Sequence, residues 1–294
     1  MDFFALLKAL FLGVIEGITE WLPISSSGHI LLFNAAWNSF TEAQESLAFQ
    51  NFFLYFIQLG AILAVIVLFF GKLCPFKLRP KSELDTNERI PAPLKRLYSD
   101  KQIWTMWLKV ALACIPCVIV GVLVDITDQP WIISVALIVY GIAFILIEKW
   151  NAKREAKIDD VYAITWQQAA IIGAAQALSV IPGTSRSGVT ILAALLLGIS
   201  RPAGAEFTFF LAIPVMIGAS MLQFLKNVHE VLAFSAFEWI YLFAGFVTAF
   251  AVSMLCIKML MNFVRKHDFK SFGWYRIALG ALVLAVLVIP KLLA

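Results

Sequence analysis

The sequence predicts an all-α polytopic membrane protein, with six transmembrane helices plus two re-entrant helix-loop-helix units in an inverted-topology repeat. Three observations predict it. Apolar residues make up 61% of the 294 residues and charged residues 14%, with a mean hydropathy of +0.87, a balance foreign to soluble domains. Apolar runs reach the ~20 residues that a helix needs to cross ~30 Å of hydrocarbon. One polar motif occurs twice, at Gly13 and at Gly173, an offset of 160 residues. Strand-type alternation is absent, so a β-barrel is not expected.

In chain order, residues 3 to 37 hold enough apolar sequence for about one and a half spans, interrupted by Pro, Gly, Ser and charge. Full spans are predicted near 48 to 70, 103 to 124 and 131 to 148. A second broken stretch follows at 166 to 199, then spans near 205 to 225, 238 to 262 and 275 to 292. Such breaks suggest units that enter and leave by one face. The whole chain, 1 to 294, reads as one integral membrane domain, with repeats of about 1 to 148 and 149 to 294. The start "MDFFALLKAL" lacks a basic region and a cleavage site, so no removable signal is expected.

Charge sets the orientation. Residues 71 to 102 carry eight Lys or Arg against four acids, and 149 to 165 and 263 to 274 are also basic, whereas 38 to 47, 125 to 130 and 226 to 237 contain only Lys226. Cations accumulate on the cytoplasmic side, so both termini are expected outside. The net charge of +4 therefore belongs to loops and argues against nucleic acid. Trp104, Trp107, Trp131, Trp166, Trp239 and Trp274 lie near segment starts, where amphipathic rings favour the interface. The "CIPC" pair at Cys114 and Cys117 interrupts a membrane helix and reads as packing.

"GVIEGITEWLPISSSGHILL" from Gly13 aligns without gaps on "GAAQALSVIPGTSRSGVTIL" from Gly173: Glu16 meets Gln176, Ser25 meets Ser185, Ser27 meets Ser187 and Gly28 meets Gly188. With three full spans between them, the second unit enters from the opposite face. Inverted repeats of this kind bring their breaks together near the midplane. Glu16 and Glu20 are one helical turn apart on one face, and Gly13 and Gly17 would admit a close helix. Pro23 should end the first half-helix, with Ser25, Ser26 and Ser27 capping the second. Capping and packing explain the serines and glycines. They do not explain Glu16, Glu20 and His29, because a charge at the helix centre costs ~2.5 kcal/mol or more and usually marks a functional cavity.

The partner loop "PGTSRSG" offers Arg186 among Thr184, Ser185 and Ser187. Guanidinium, hydroxyls and two half-helix N-termini suit a phosphate. A salt bridge from Arg186 to Glu16 or Glu20 that locks the halves is the plainer reading, and the two are compatible. Paired carboxylates beside a diphosphate could also hold Mg²⁺ or Ca²⁺, with Glu16 and Glu20 as ligands.

"EGITEWLPISSSGH" and "PGTSRSG", extended by "IQLGAILAV" from Ile57 and "EFTFFLAIPVMIGA" from Glu206, resemble the signatures of the membrane-embedded undecaprenyl-diphosphatases, or bacitracin-resistance proteins, over nearly the whole chain. The resemblance implies a hydrolase of the bacterial inner (plasma) membrane, with its site open to the outer face. Its lipid substrate would be undecaprenyl diphosphate, the product being the monophosphate carrier for peptidoglycan synthesis. It also implies six spans and two re-entrant units; a homodimer is compatible with it. Position by position, the nucleophile falls on Ser26, the acids on Glu16 and Glu20, the histidine on His29 and the phosphate-binding arginine on Arg186, with Ser25, Ser27, Thr184, Ser185 and Ser187 around the phosphate. Two departures stand out: Leu54 replaces an acid that many members carry four residues before the glutamine that is here Gln58, and the 71 to 102 loop is longer than usual. Two chemistries stay open, a phosphoserine on Ser26 with His29 or Glu20 as base, and direct attack by water. The alternative from another class is a prenyl-phosphate flippase or transporter, since carriers also use broken helices in inverted repeats.

Overall fold

The first apolar stretch does not run straight through. In the computed structural model, which describes residues 2–37, 47–78, 97–124, 126–127 and 129–290, helix α1 (Phe3–Thr19) starts on an Asp2 cap whose side chain accepts from the Phe4 amide. It stops four residues before Pro23, and α2 (Ser26–Trp37) begins directly after a turn through residues 20–25. Proline cannot donate a helical N–H and disfavours helix in the residue before it, so the break forms on its N-terminal side.

Then follow α3 (Leu47–Leu68), the short α4 (Phe70–Leu73), and an antiparallel pair, β1 (Phe76–Leu78) with β2 (Leu97–Ser99), in which Lys77 faces Tyr98. The pair was not foreseen. The rest of that basic loop, with Arg79, Lys81, Arg89, Lys95 and Arg96, lies outside the described residues, as do most of 38 to 47 and the last residues of the sixth predicted span. Helices α5 (Lys101–Leu123) and α6 (Pro130–Asn151) complete the first half.

The second half begins with α7 (Trp166–Gln176), held at its start by a Thr165–Gln168 capping box, and a 3₁₀ turn at Ala177–Val180. Helix α8 (Arg186–Leu196) follows a loop containing Gly183, then α9 (Arg201–Lys226), α10 (Val228–Leu232), α11 (Ala236–Val264) and α12 (Lys270–Val283), which continues as a π-turn to Val288. Among the described residues, six helical segments are long and apolar enough to cross a membrane: Phe49–Leu68, Lys101–Leu123, Pro130–Asn151, Arg201–Lys226, Ala236–Val264 and Lys270–Val288. They coincide with the six predicted spans to within about five residues at each start. α8, by contrast, is short and apolar.

The halves are interleaved. α1 packs on α11 and α7 packs on α5, so each broken stretch lies against a span of the other half. Small residues make these contacts possible: a Cβ on Gly13 would sit 2.6 Å from the Gly245 carbonyl oxygen, and one on Gly173 would overlap the Ala113 backbone. One buried ion pair ties α6 to α9. Glu148, fully buried, accepts from Arg201 at 2.9 and 2.6 Å and from the Phe269 amide at 3.0 Å. A buried carboxylate is tolerated where its oxygens are matched by donors in this way.

Candidate active site

The two loops meet. The Ser27 hydroxyl accepts from the Gly183 amide at 3.1 Å, and the Ser187 hydroxyl donates to the Leu22 carbonyl at 3.5 Å. Each loop thus holds the opposite one through the serine two residues beyond its own bend. Those bends are also alike: among the described residues, Ser25 and Ser185 are the non-glycine residues with positive φ, at 75° and 65°, a region that costs about 1 kcal/mol or more for a side chain. Ser25 and Ser27 hydroxyls lie 3.0 Å apart, and Ser185 and Ser187 hydroxyls 3.2 Å apart. Ser185 also caps α8, accepting from the Gly188 amide at 3.2 Å.

Across this junction lies the charge. Arg186 Nη2 donates to Glu20 Oε1 at 2.5 Å, and the Ser26 hydroxyl donates to Glu20 Oε2 at 3.0 Å. One carboxylate therefore joins a guanidinium from the second loop to a hydroxyl from the first. The Arg186 and Glu20 side chains each keep 11% exposure. Arg186 is steadied by the Ala212 carbonyl at 3.3 Å and the Met216 sulfur. The salt bridge expected to lock the halves is present, to Glu20.

Glu16 lies one turn back in α1 and is buried at 1% exposure, its Oε1 without a donor among the described residues. Gln176, its partner in the motif alignment, is equally buried. Thr184 is buried in the second loop. Among the described residues no cluster of three His, Cys, Asp or Glu could hold a metal; Glu16 and Glu20 are a pair of carboxylates.

His29 is directed elsewhere. Its Nδ1 is 2.7 Å from the Ser25 carbonyl and its Nε2 2.7 Å from the Tyr275 hydroxyl, with the two rings stacked at an interplanar angle of 7°. A carbonyl only accepts, so Nδ1 carries the hydrogen and, in the neutral ring, Nε2 accepts from Tyr275.

Arg276 is the residue that sequence reasoning missed. It is completely buried, donating to the Pro23 carbonyl at 3.2 Å and to the Gly183 and Thr184 carbonyls at 2.9 Å each. One guanidinium thereby clamps both loops. The available signal was an arginine in an apolar run, but a span predicted to start at 275 puts it at the membrane edge. α12 starts at Lys270, which carries Arg276 nearly two turns inward.

Between the first turns of α1, α3 and α11 and the end of α2 lies a cavity of about 120 Å³, lined by Lys8, Leu12, Asn34, Gln50 and Leu54 among others. Leu54, the departure from the acidic position, faces this space.

Six candidate spans around two broken helical stretches, with arginine, carboxylate and hydroxyl groups where their loops touch, define a polytopic membrane protein. Residues 9–282 match the family described as bacitracin resistance protein BacA, and the chain belongs to that family. An undecaprenyl-diphosphatase of Enterococcus faecalis is 47% identical over 291 residues, covering 97% of this chain and 98% of the relative. Another, of Latilactobacillus sakei subsp. sakei, is 48% identical over 286 residues, covering 96% and 97%. Undecaprenyl-diphosphatase 1 of Clostridium acetobutylicum is 45% identical over 296 residues, covering 98% and 100%.

Proposed function

We propose that the chain is an undecaprenyl-diphosphatase: a membrane phosphatase that removes the terminal phosphate of the C55 isoprenoid diphosphate, leaves the monophosphate carrier for peptidoglycan precursors, and so confers bacitracin resistance. The observation that carries the site assignment is the Glu20 bridge, with Ser26 on one oxygen and Arg186 on the other.

Phosphoryl transfer needs an in-line nucleophile, positive charge on the equatorial oxygens and a competent leaving group. Prenyl monophosphate is a good leaving group, so no strong acid is required. The terminal phosphate takes up N–H groups of Arg186, whose planar fork suits two phosphate oxygens. The free amides and positive dipole ends of α2 and α8 face the same junction. Ser26 already donates to Glu20, so Glu20 takes its proton as the Oγ–P bond forms and the P–O bond to the prenyl monophosphate breaks. Water then cleaves the phosphoserine to inorganic phosphate and restores Ser26. Both nitrogens of His29 are engaged away from Ser26, so His29 positions the first turn of α2 instead of acting as this base. Attack by a water on Glu20 is the competing route.

A divalent cation belongs to the proposal. The orphaned Glu16 oxygen is an acceptor suited to Mg²⁺ or Ca²⁺, which Glu16 and Glu20 would hold and which would neutralise diphosphate charge.

The inverted-repeat and re-entrant reading draws support from the matched positive φ at Ser25 and Ser185, the matched hydroxyl pairs and the reciprocal reach of Ser27 and Ser187. The basic loops at one end and the cavity around Lys8 at the other support a site that opens to the outer face.

The test is phosphate release from C55 and C15 diphosphates by purified protein in detergent, where no transport is possible, for wild type and for Ser26→Ala, Arg186→Ala and Glu20→Gln, with and without chelator. Wild-type turnover with all three variants impaired supports the proposal. A wild-type protein no more active than Arg186→Ala overturns it and leaves a carrier.

A further inference from the structure

At the face opposite the Lys8 cavity, where α3 and α11 end and α9 begins, lies a second and larger hollow of about 440 Å³. Lys72, Lys258 and Arg265 line it with a single acid, Glu206. Glu206 is already matched, accepting from Lys72 at 2.7 and 2.6 Å through its two oxygens. Lys258 and Arg265 are seven residues apart on α11, hence on one face. Both are exposed, and neither has an ion-pair partner among the described residues. The hollow therefore carries two uncompensated positive charges.

Its floor is apolar, with Ile257 and Met261 buried beneath the cations. Toward the bilayer, the same side of α11 continues as Leu255 and Val247, three and eleven residues before Lys258 and 65% and 59% exposed. A cationic recess that opens onto an apolar, outward-facing stripe matches a ligand with an anionic head and hydrocarbon tails. A soluble anion would have no use for the stripe. Basic hollows between spans on the cytoplasmic side are suited to anionic lipid head groups, and the loop charges assign this face to the cytoplasm.

We infer that this hollow binds one anionic glycerophospholipid of the cytoplasmic leaflet, its phosphodiester between Lys258 and Arg265 and an acyl chain along Leu255 and Val247. None of its lining residues is hydrogen-bonded to Ser26 or Arg186, and the site does not depend on the proposed hydrolysis.

Native mass spectrometry of the full chain, titrated with phosphatidylglycerol or with phosphatidylethanolamine, tests it. Wild type should retain one phosphatidylglycerol in preference to the zwitterionic lipid. Lys258→Gln/Arg265→Gln should weaken that binding about thirty-fold, on the order of fivefold for each cation. The control Lys149→Gln/Lys153→Gln, equally exposed on the same face, should leave it unchanged. Equal loss in both double variants would reduce the effect to general surface attraction and overturn the site. Displacement of the lipid by glycerol phosphate, or by a prenyl monophosphate at equal concentration, would overturn the choice of a diacyl lipid. Circular dichroism on each variant confirms that helicity is retained.

Discussion

Replacing Arg276 by methionine separates loop apposition from chemistry, because the hydrogen bonds of this arginine go to backbone carbonyls of the two loops. Three bonds from a charged donor contribute about 1.5 kcal/mol each, or about 4.5 kcal/mol together. Relief from burying a guanidinium offsets about 1–2 kcal/mol of that. About 3 kcal/mol then shifts toward parted loops, on the order of a hundredfold in population. If Arg186 must stand over Ser26 and Glu20 for turnover, kcat/KM for phosphate release in detergent should fall by up to that factor while the spans stay helical. Arg276→Lys, whose single ammonium can reach one loop but not hold both, should lose about tenfold. Wild-type kcat/KM in folded Arg276→Met protein would refute the clamp.

Glu20→Gln should lower turnover by about 10²–10⁴ through loss of the base, with melting in detergent as the check that the fold survives loss of the Arg186 pair. Ser26→Ala should abolish any acid-trapped, radiolabelled phosphoprotein; full activity in that variant would move the mechanism to direct water attack. Gly173→Leu drives a side chain into the Ala113 backbone and should destabilise by about 1–3 kcal/mol or more, read as a lowered Tm. Glu148→Ala strands Arg201 and the Phe269 amide and should cost about 3–5 kcal/mol, visible in thermal unfolding; activity should fall only with the folded fraction.

The six spans were legible because hydrocarbon thickness demands an apolar run of fixed length, and a run such as Pro130–Asn151 has few other uses. The breaks were legible because Pro23 cannot continue a helix and the serines after it favour a new helix start. Contact of Arg186 with Glu16 or Glu20 was expected from the two aligned motifs, and the loops that carry them do meet, with the bridge on Glu20. Side-chain direction was not. The sequence of α2 says nothing of Tyr275, so the turn of His29 away from Ser26 depends on how α12 packs. Arg276 escaped for a related reason: its depth follows from where α12 begins. The β1–β2 pair is too short, at three residues each, for a periodicity of two to register.

The interleaving of α1 with α11 bears on how the chain is made. α1 leaves the ribosome more than two hundred residues before its partner is complete, which at about 5–20 residues per second is a delay of about ten to forty seconds. Until residue 186 is made Glu16 and Glu20 have neither Arg186 nor the Gly245 surface to shield them, and afterwards they still lack that surface, so insertion machinery or neighbouring water must shelter this stretch. Nascent chains truncated before α11 should therefore expose it to quality-control proteases, however well their own four spans have inserted.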